Sequence, residues 1–202
     1  MKYSLVGEPL GREFFEHAPD DVARALIGSL LVVRDGVTEH VAMIVETEAY
    51  GGGNDPASHA FRGPTKRSAI MFGPAGYLYV YLIYGVHWCM NVVTEASDEP
   101  SAVLLRGAQL LSVDDGDAHG TPLRGPGNLT KGLGITGNDN GLDCCPDNAG
   151  RISFHRSLDT QSSSKVDTSV RIGLSVEKDR PSRYFLHGHE AVSKFVAKPK
   201  IG

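Results

Sequence analysis

Apolar residues in this chain gather into short runs with a two-residue period, separated by breaks rich in glycine, proline and aspartate. The densest run is Leu78-Tyr79-Val80-Tyr81-Leu82-Ile83. Alternation puts Leu78, Val80 and Leu82 on one face and Tyr79, Tyr81 and Ile83 on the other. Tyr84-Gly85 interrupts it and Val86-His87-Trp88-Cys89-Met90-Asn91 resumes it, which predicts a β-hairpin over Leu78 to Asn91. Tyr84 falls at the bend, where burial is hardest to arrange. A ring there is a partner anchor, a wedge, or a core aromatic under a curled sheet, and aromatics are usually buried.

The same patterning organises the rest of the chain. Ala18 to Gly28 predicts a short helix, with proline and acids in its first turn, Val22, Ala25 and Leu26 on one face, and a glycine stop. Ser29 to Arg34 and Val37 to Val45 flank Asp35-Gly36, a two-residue hairpin signal. The second strand continues to Tyr50 and breaks at Gly51-Gly52-Gly53-Asn54-Asp55-Pro56, a loop without a helix-opening phosphate fingerprint. Ser58 to Arg67 is a polar, cation-rich loop, and Ala102 to Arg106 is a buried-type strand ending in a cation. Gly125 to Leu133 reads as a loop entering a short helix, with Leu129 and Leu133 one turn apart. Residues 136–150 are turn-dense, Ser162 to Lys165 is a flexible-loop candidate, and Val170 to Leu174 and Tyr184 to Leu186 read as late strands. With no repeat or internal boundary, residues 1–202 are expected to form one α+β domain.

Composition changes little. The chain has 202 residues, 41% hydrophobic and 22% charged, which suits one globular domain with a substantial core. Its net charge of −4 gives no hint of nucleic acid, although a basic face need not show in the total. No signal peptide or membrane-spanning run is visible, and the three cysteines lack zinc-ligand spacing. An intracellular protein without metal or other cofactor is the expectation.

Glu46 and Glu48 lie two apart on a strand and share a face, their Cα atoms roughly 6.5–7 Å apart. They are either a solvated polar edge or a source of a carboxylate that activates water or steadies a developing cation. Tyr50 shares their face. His59 alone is more often structural than catalytic, and His187-Gly188-His189 is too sparse for a metal site. Cys144-Cys145 lacks an identifiable base partner, and no nucleophile elbow or Walker loop is present.

Val45-Glu46-Thr47-Glu48-Ala49-Tyr50, His59 eleven positions beyond Glu48, Met71-Phe72, and the block from Leu78 to Gly85 followed by Cys89-Met90-Asn91 resemble the alkyladenine DNA glycosylases, also called 3-methyladenine or methylpurine DNA glycosylases. Val103-Leu104-Leu105-Arg106, Gly125-Pro126-Gly127, Arg171-Ile172-Gly173, Leu10 to Phe15 and Ala23 to Gly28 extend the likeness over nearly the whole chain. Val86-His87 and the tail after Ser193 depart from it. The resemblance implies a curved, antiparallel-rich sheet with surrounding helices, and a protruding hairpin that enters the DNA minor groove. It implies a monomeric, monofunctional glycosylase that flips alkylated or deaminated purines from double-stranded DNA and starts base-excision repair.

Residue by residue, the resemblance makes Glu48 the base that aims the attacking water, with Arg106 and the Ile172 backbone carbonyl helping to hold that water. Tyr50 and Tyr81 would sandwich the extruded base, His59 would donate a hydrogen bond to it, and Asn91 would crowd the amino group of normal guanine. Tyr84 would be the wedge. Arg62, Lys66, Arg67, Arg124 and Lys131 are the candidates for phosphate contacts. The chemistry suits these residue types. Extruding a base costs a few kcal/mol, and an aromatic wedge offsets part of that cost. Stacking contributes about 1–3 kcal/mol per base, and facing tyrosines attract a cationic alkylpurine. Two rivals remain: a small-molecule nucleoside or glycoside hydrolase using Glu46 and Glu48 as a pair, and a non-catalytic nucleic-acid module that stacks bases.

Overall fold

Among the described residues ten strands join one antiparallel sheet whose path runs β1 (Val6–Pro9), β8 (Ile152–Ser157), β2 (Leu30–Asp35), β3 (Thr38–Tyr50), β6 (Ser101–Val113), β5 (His87–Thr94), β4 (Leu78–Ile83). Off this path, β7 (Thr121–Arg124) pairs with β6, and β10 (Arg183–Leu186) joins β3 to β9 (Val166–Ser169). The computed structural model describes residues 5–95, 99–113, 120–145, 150–158 and 165–194. Among the described residues three short α-helices accompany the sheet: α1 (Arg12–Phe15), α2 (Pro19–Ala25) and α3 (Pro126–Gly132). The result is a curled half-barrel of α+β type. Among the described residues no helix is long and apolar enough to cross a membrane.

The long strands β3 and β6 carry the decisive irregularity. Ile44 pairs with Ala108, Glu46 with Gly107, and Thr47 with Leu105. Val45 is therefore an extra residue on β3, and Arg106 an extra residue on β6. Each bulge flips the alternation of its strand. Ala42 and Ile44 face the main core before the bulge, and Ala49 faces it afterwards. On β6, Val103 and Leu105 face it before, and Ala108 and Leu110 after. The phase change moves Glu46, Glu48 and Tyr50 to the opposite face, together with Arg106. Gly107 sits opposite Glu46, where a Cβ would lie 2.6 Å from the Ala191 carbonyl oxygen, so only glycine fits.

The main core lies on one side of the sheet, where Val22, Ala23 and Leu26 of the α2 segment and Leu129 and Leu133 of the α3 segment meet Leu31, Val103 and Leu105. A seven-residue helix is marginal alone. Packing holds α3: both leucines are fully buried. A second apolar cluster, Ala60, Met71, Tyr79, Val93 and Ala102, lies against the other face.

Several expectations shift. The first hairpin turns on Gly36-Val37, one residue later than Asp35-Gly36, because Asp35 pairs with Thr38. The helix expected over Ala18 to Gly28 covers Pro19–Ala25, with Gly28 at a φ of 86°. Val170 to Leu174 is not a strand. The ladder stops at Ser169; Ile172 gives its N–H to Glu48, and Gly173 adopts a φ of 80° that breaks extended backbone. Leu82 leaves the core face near the tip and is 40% exposed. Strands β1, β7 and β8 and helix α1 carry no clear period in the sequence. Residues 146–149 and 162–164 of the expected loops lie outside the described residues.

The hairpin over Leu78 to Asn91 is present, with Ile83 opposite His87. Tyr84 and Gly85 both have positive φ, 52° and 72°, and the Val86 N–H returns to the Ile83 carbonyl. That is the positive-φ pair a type I′ turn requires. Tyr84 is 86% exposed, so it is no core aromatic. Tyr84→Gly should leave the melting temperature unchanged or raise it, since glycine relieves the left-handed strain. Leu105→Ala, at a fully buried position, should cost roughly 2–5 kcal/mol in denaturant unfolding. A marked fall for Tyr84→Gly would return that ring to a packing role.

Candidate active site

Four strands deliver the site from the face opposite the main core. Tyr50 comes from β3, Tyr79 and Tyr81 from β4, Cys89 and Asn91 from β5, and Ala102, Leu104 and Arg106 from β6. They line a cavity of about 310 Å3 whose wall is completed by His59, Met71, Pro126 and Ile172, with Tyr84 of the hairpin tip at its border. Strand positions make such a site rigid.

Glu48 stands behind this wall with no exposed surface. Its Oε2 accepts from the Tyr50 hydroxyl at 2.8 Å and from Arg106 Nη1 at 3.4 Å. Its Oε1 accepts from the Ile172 N–H at 2.7 Å. Burial pushes the Glu48 pKa up; the charge of Arg106 and the bonds from Ile172 and Tyr50 oppose the shift without cancelling it. The Tyr50 phenol is raised well above its ordinary range by burial and by the Glu48 charge, so it remains a donor. Burial works against the charge of Arg106, but Glu48 and Glu46 outweigh it and raise its pKa.

Glu46 is equally enclosed, and its partners differ. Oε1 accepts from Arg183 Nε at 2.7 Å and Arg106 Nε at 3.3 Å, and Oε2 from the Ser193 N–H at 2.7 Å. Arg106 thus spans both glutamates from its bulge. A pair of buried carboxylates is tolerable only because cations and N–H donors surround it.

The aromatic side of the cavity is also interlocked. His59 Nδ1 lies 2.9 Å from the Tyr79 hydroxyl, and its ring meets Tyr81 edge-on with centroids 4.8 Å apart. Loss of solvent, then the charge of Arg67, lower the His59 pKa and favour the neutral imidazole. Asn91 is buried and donates from Nδ2 to the Tyr79 carbonyl at 2.9 Å. Guanidinium groups lie over both expected stacking rings: Arg67 is 4.3 Å from the Tyr81 centroid and Arg171 is 4.7 Å from that of Tyr50.

The structure therefore brings together Glu48, Arg106, Tyr50, His59, Tyr81, Asn91 and Ile172, with Tyr84 at the edge. Ile172 contributes an N–H to Glu48. Among the expected phosphate contacts, Arg62, Lys66 and Lys131 are exposed, Arg67 stacks on Tyr81, and Arg124 donates to the Glu190 carbonyl. Sequence reasoning missed the pairing of Asp55 with Arg171, the Tyr79 hydroxyl, and the closure of Glu46 by Arg183 and Ser193. Asp55 gave only the signal of a carboxylate in a glycine loop, and a backbone donor such as Ser193 N–H gives none. Cys144 and Cys145 are no nucleophile pair: burial first, with neighbouring carboxylates adding to it, raises both thiols, Cys145 to about 11. Among the described residues no three His, Cys, Asp or Glu side chains gather as a metal would need.

An enclosed carboxylate beside an aromatic cavity suits acid–base chemistry on a flat, stacking substrate. A family model described as methylpurine-DNA glycosylase matches residues 13–190. Proteins named "Putative 3-methyladenine DNA glycosylase" are close in sequence. That of Anaeromyxobacter dehalogenans (strain 2CP-1 / ATCC BAA-258) is 46% identical over 197 residues, covering 96% of this chain and 87% of its own. That of Rickettsia peacockii (strain Rustic) is 44% identical over 176 residues, covering 87% and 88%. The chain belongs to the methylpurine-DNA glycosylase family. It is a DNA glycosylase, a hydrolase of N-glycosyl bonds that acts on DNA in repair.

The hydroxyl of Tyr50 stabilises ionised Glu48, so Tyr50→Phe should raise the Glu48 pKa further above its ordinary value. Carbon-13 NMR titration of the side-chain carboxyl should show the higher midpoint. An unchanged or lower midpoint would mean that the hydrogen bond does not govern Glu48.

Proposed function

We propose that this protein flips alkylated or deaminated purines, 3-methyladenine and hypoxanthine among them, out of duplex DNA and hydrolyses the N-glycosidic bond with a water activated by Glu48. The observation that carries this reading is that all three hydrogen-bond donors to buried Glu48 come from residues that line the aromatic cavity. An ionised carboxylate has about four acceptor positions. Among the described residues three are taken, by Ile172 N–H, the Tyr50 hydroxyl and Arg106 Nη1. The fourth would accept from a water that enters between these groups. That water attacks C1′ as the bond to the base nitrogen breaks; the bonding electrons leave with the base, and the water's proton passes to Glu48. Glu48 also steadies the positive charge that develops on the sugar.

The base would lie against Tyr50 and Tyr81, with His59 offering a hydrogen bond and Asn91 limiting the space for an exocyclic amino group. A cationic alkylpurine leaves as a neutral molecule and needs no acid, whereas neutral hypoxanthine leaves as an anion that hydrogen bonds in the cavity stabilise until a solvent water protonates it. The carbonyl of Ile172 and Arg106 would help to place the water. Tyr84, exposed and held rigidly at the turn, would enter the minor groove and fill the vacated stack. Arg62, Lys66 and Lys131 are exposed and would meet phosphates, with Arg67 and Arg124 nearer the protein's own groups.

A two-carboxylate glycosidase reading finds less support. Glu46 accepts as many hydrogen bonds as Glu48, but two of its three donors, Arg183 and the Ser193 N–H, stand outside the cavity lining, so a substrate there does not meet it. Glu48 would act as the only acid–base group.

Glu48→Gln should abolish release of 3-methyladenine and hypoxanthine while keeping affinity for the damaged duplex. Loss of neither would favour a binding module. Wild-type release should fall as pH drops, because Glu48 must be ionised, with a midpoint above the ordinary glutamate value of 4.5. Tyr84→Ala should weaken binding to lesion duplexes without loss of thermal stability, and undiminished binding would remove the wedge.

A further inference from the structure

The geometry points to Asp55 and Arg171 as a buried positioning pair that aims Glu48 and sets the ring of Tyr50. This inference rests on the catalytic role proposed for Glu48. Both side chains are fully buried. Arg171 Nη1 and Nη2 donate to the two oxygens of Asp55, at 2.5 and 2.9 Å. The same carboxylate accepts the backbone N–H groups of Gly51 and Ala57, both at 3.1 Å. Asp55 therefore fastens the glycine loop and the arginine into one unit. The charge and hydrogen bonds of Arg171 hold the Asp55 pKa below its ordinary value although burial pulls it upward.

Three consequences reach the reacting carboxylate. Arg171 Nη1 also donates to the Ala49 carbonyl at 3.0 Å, which ties it to the end of β3 between Glu48 and Tyr50. Its guanidinium covers the ring of Tyr50, whose hydroxyl donates to Glu48. Its backbone leads directly into Ile172, whose N–H donates to the other oxygen of Glu48. Residues 171–174 make no backbone–backbone hydrogen bond among the described residues. The place of the Ile172 N–H thus depends on the Arg171 side chain, not on a strand ladder. A fork that fits a carboxylate in two bonds and stacks on a ring is a task for arginine that lysine does not reproduce.

A general structural ion pair would lower stability when broken and leave the chemistry of the surviving folded protein alone. A positioning pair changes the rate and its pH dependence. The Ile172 N–H favours ionised Glu48, so loosening it raises the Glu48 pKa and moves the pH midpoint upward.

The test uses the full chain with enzyme in excess over an alkylated duplex, reading single-turnover release of 3-methyladenine against pH. Wild type, Glu48→Gln, Asp55→Asn and Arg171→Lys are compared, each below its own melting temperature and scaled to its DNA-binding fraction. Asp55→Asn keeps the shape of the side chain and turns a donor toward Arg171. The expected result is a rate lowered on the order of 10–100-fold in both variants, as a small misplacement of a catalytic group produces. It is accompanied by a raised pH midpoint and unchanged duplex affinity. Wild-type rates and midpoints in Asp55→Asn and Arg171→Lys, with Glu48→Gln inactive, would overturn the inference alone. Equal release by wild type and Glu48→Gln would instead overturn the catalytic reading beneath it. Should Arg171→Lys fail to melt cooperatively, Asp55→Asn decides. Failure of both to fold would also overturn the inference, since the pair would then serve the fold rather than the site.

Discussion

Two fully enclosed glutamates side by side are the constraint on which the rest of this site depends. A carboxylate without partners costs several kcal/mol to bury, and two adjacent ones repel each other as well. Arg106 answers both problems by spanning Glu46 and Glu48, and it reaches them because it is the extra residue of a bulge. The bulge at Val45 turns both glutamates away from the main core, onto the face of Arg106. Remove the bulge at Val45 and the strand alternation would drive the carboxylates into the apolar core with Ala42 and Ile44; remove that at Arg106 and β6 would lose the phase that puts Arg106 and Ala108 on opposite faces. The bulges therefore serve chemistry more than curvature, and the core on the far side is packed to tolerate them.

The two glutamates are not equivalent, and their partners explain why. Glu46 is closed by Arg183, Arg106 and Ser193 N–H, so it anchors Arg106 and the chain near Ser193 to the sheet. Glu48 is bounded by groups that line the cavity, Tyr50, Arg106 and Ile172. One carboxylate is closed off mainly by groups outside the cavity, the other by groups that line it. The cavity and the tip follow a similar division. Tyr79 and Tyr81 are locked by His59 and Arg67, whereas Tyr84 at the same hairpin's end is exposed in a strained left-handed conformation. A rigid pocket wall and a projecting ring are thus one piece of backbone.

Much of this was legible from local pattern. The period of Leu78 to Ile83 separated Tyr79 and Tyr81 from the core-facing Leu78 and Val80, and the same rule put Glu48 and Tyr50 together. Leu129 and Leu133 marked the buried edge of α3. What the period could not reveal was where it breaks: nothing in Val45 or Arg106 announces a bulge, because the cause lies in the partner strand. Val170 to Leu174 misled for a related reason, since β-favouring residues there answer to Glu48 and Asp55 rather than to a neighbouring strand. Asp55 and Ser193 act through tertiary contacts across more than a hundred residues, which no local spacing encodes.

Under the proposed function the cavity beside Glu48 receives a base taken out of the duplex while Tyr84 occupies the gap. A crystal structure of the protein on a duplex whose lesion nucleotide carries a 2′-fluoro sugar, which resists hydrolysis, tests it most directly. The account predicts the damaged base against Tyr50 and Tyr81, its C1′ facing Glu48, and the ring of Tyr84 within the stack. DNA seated on another face, with the cavity empty and Tyr84 in solvent, would contradict it.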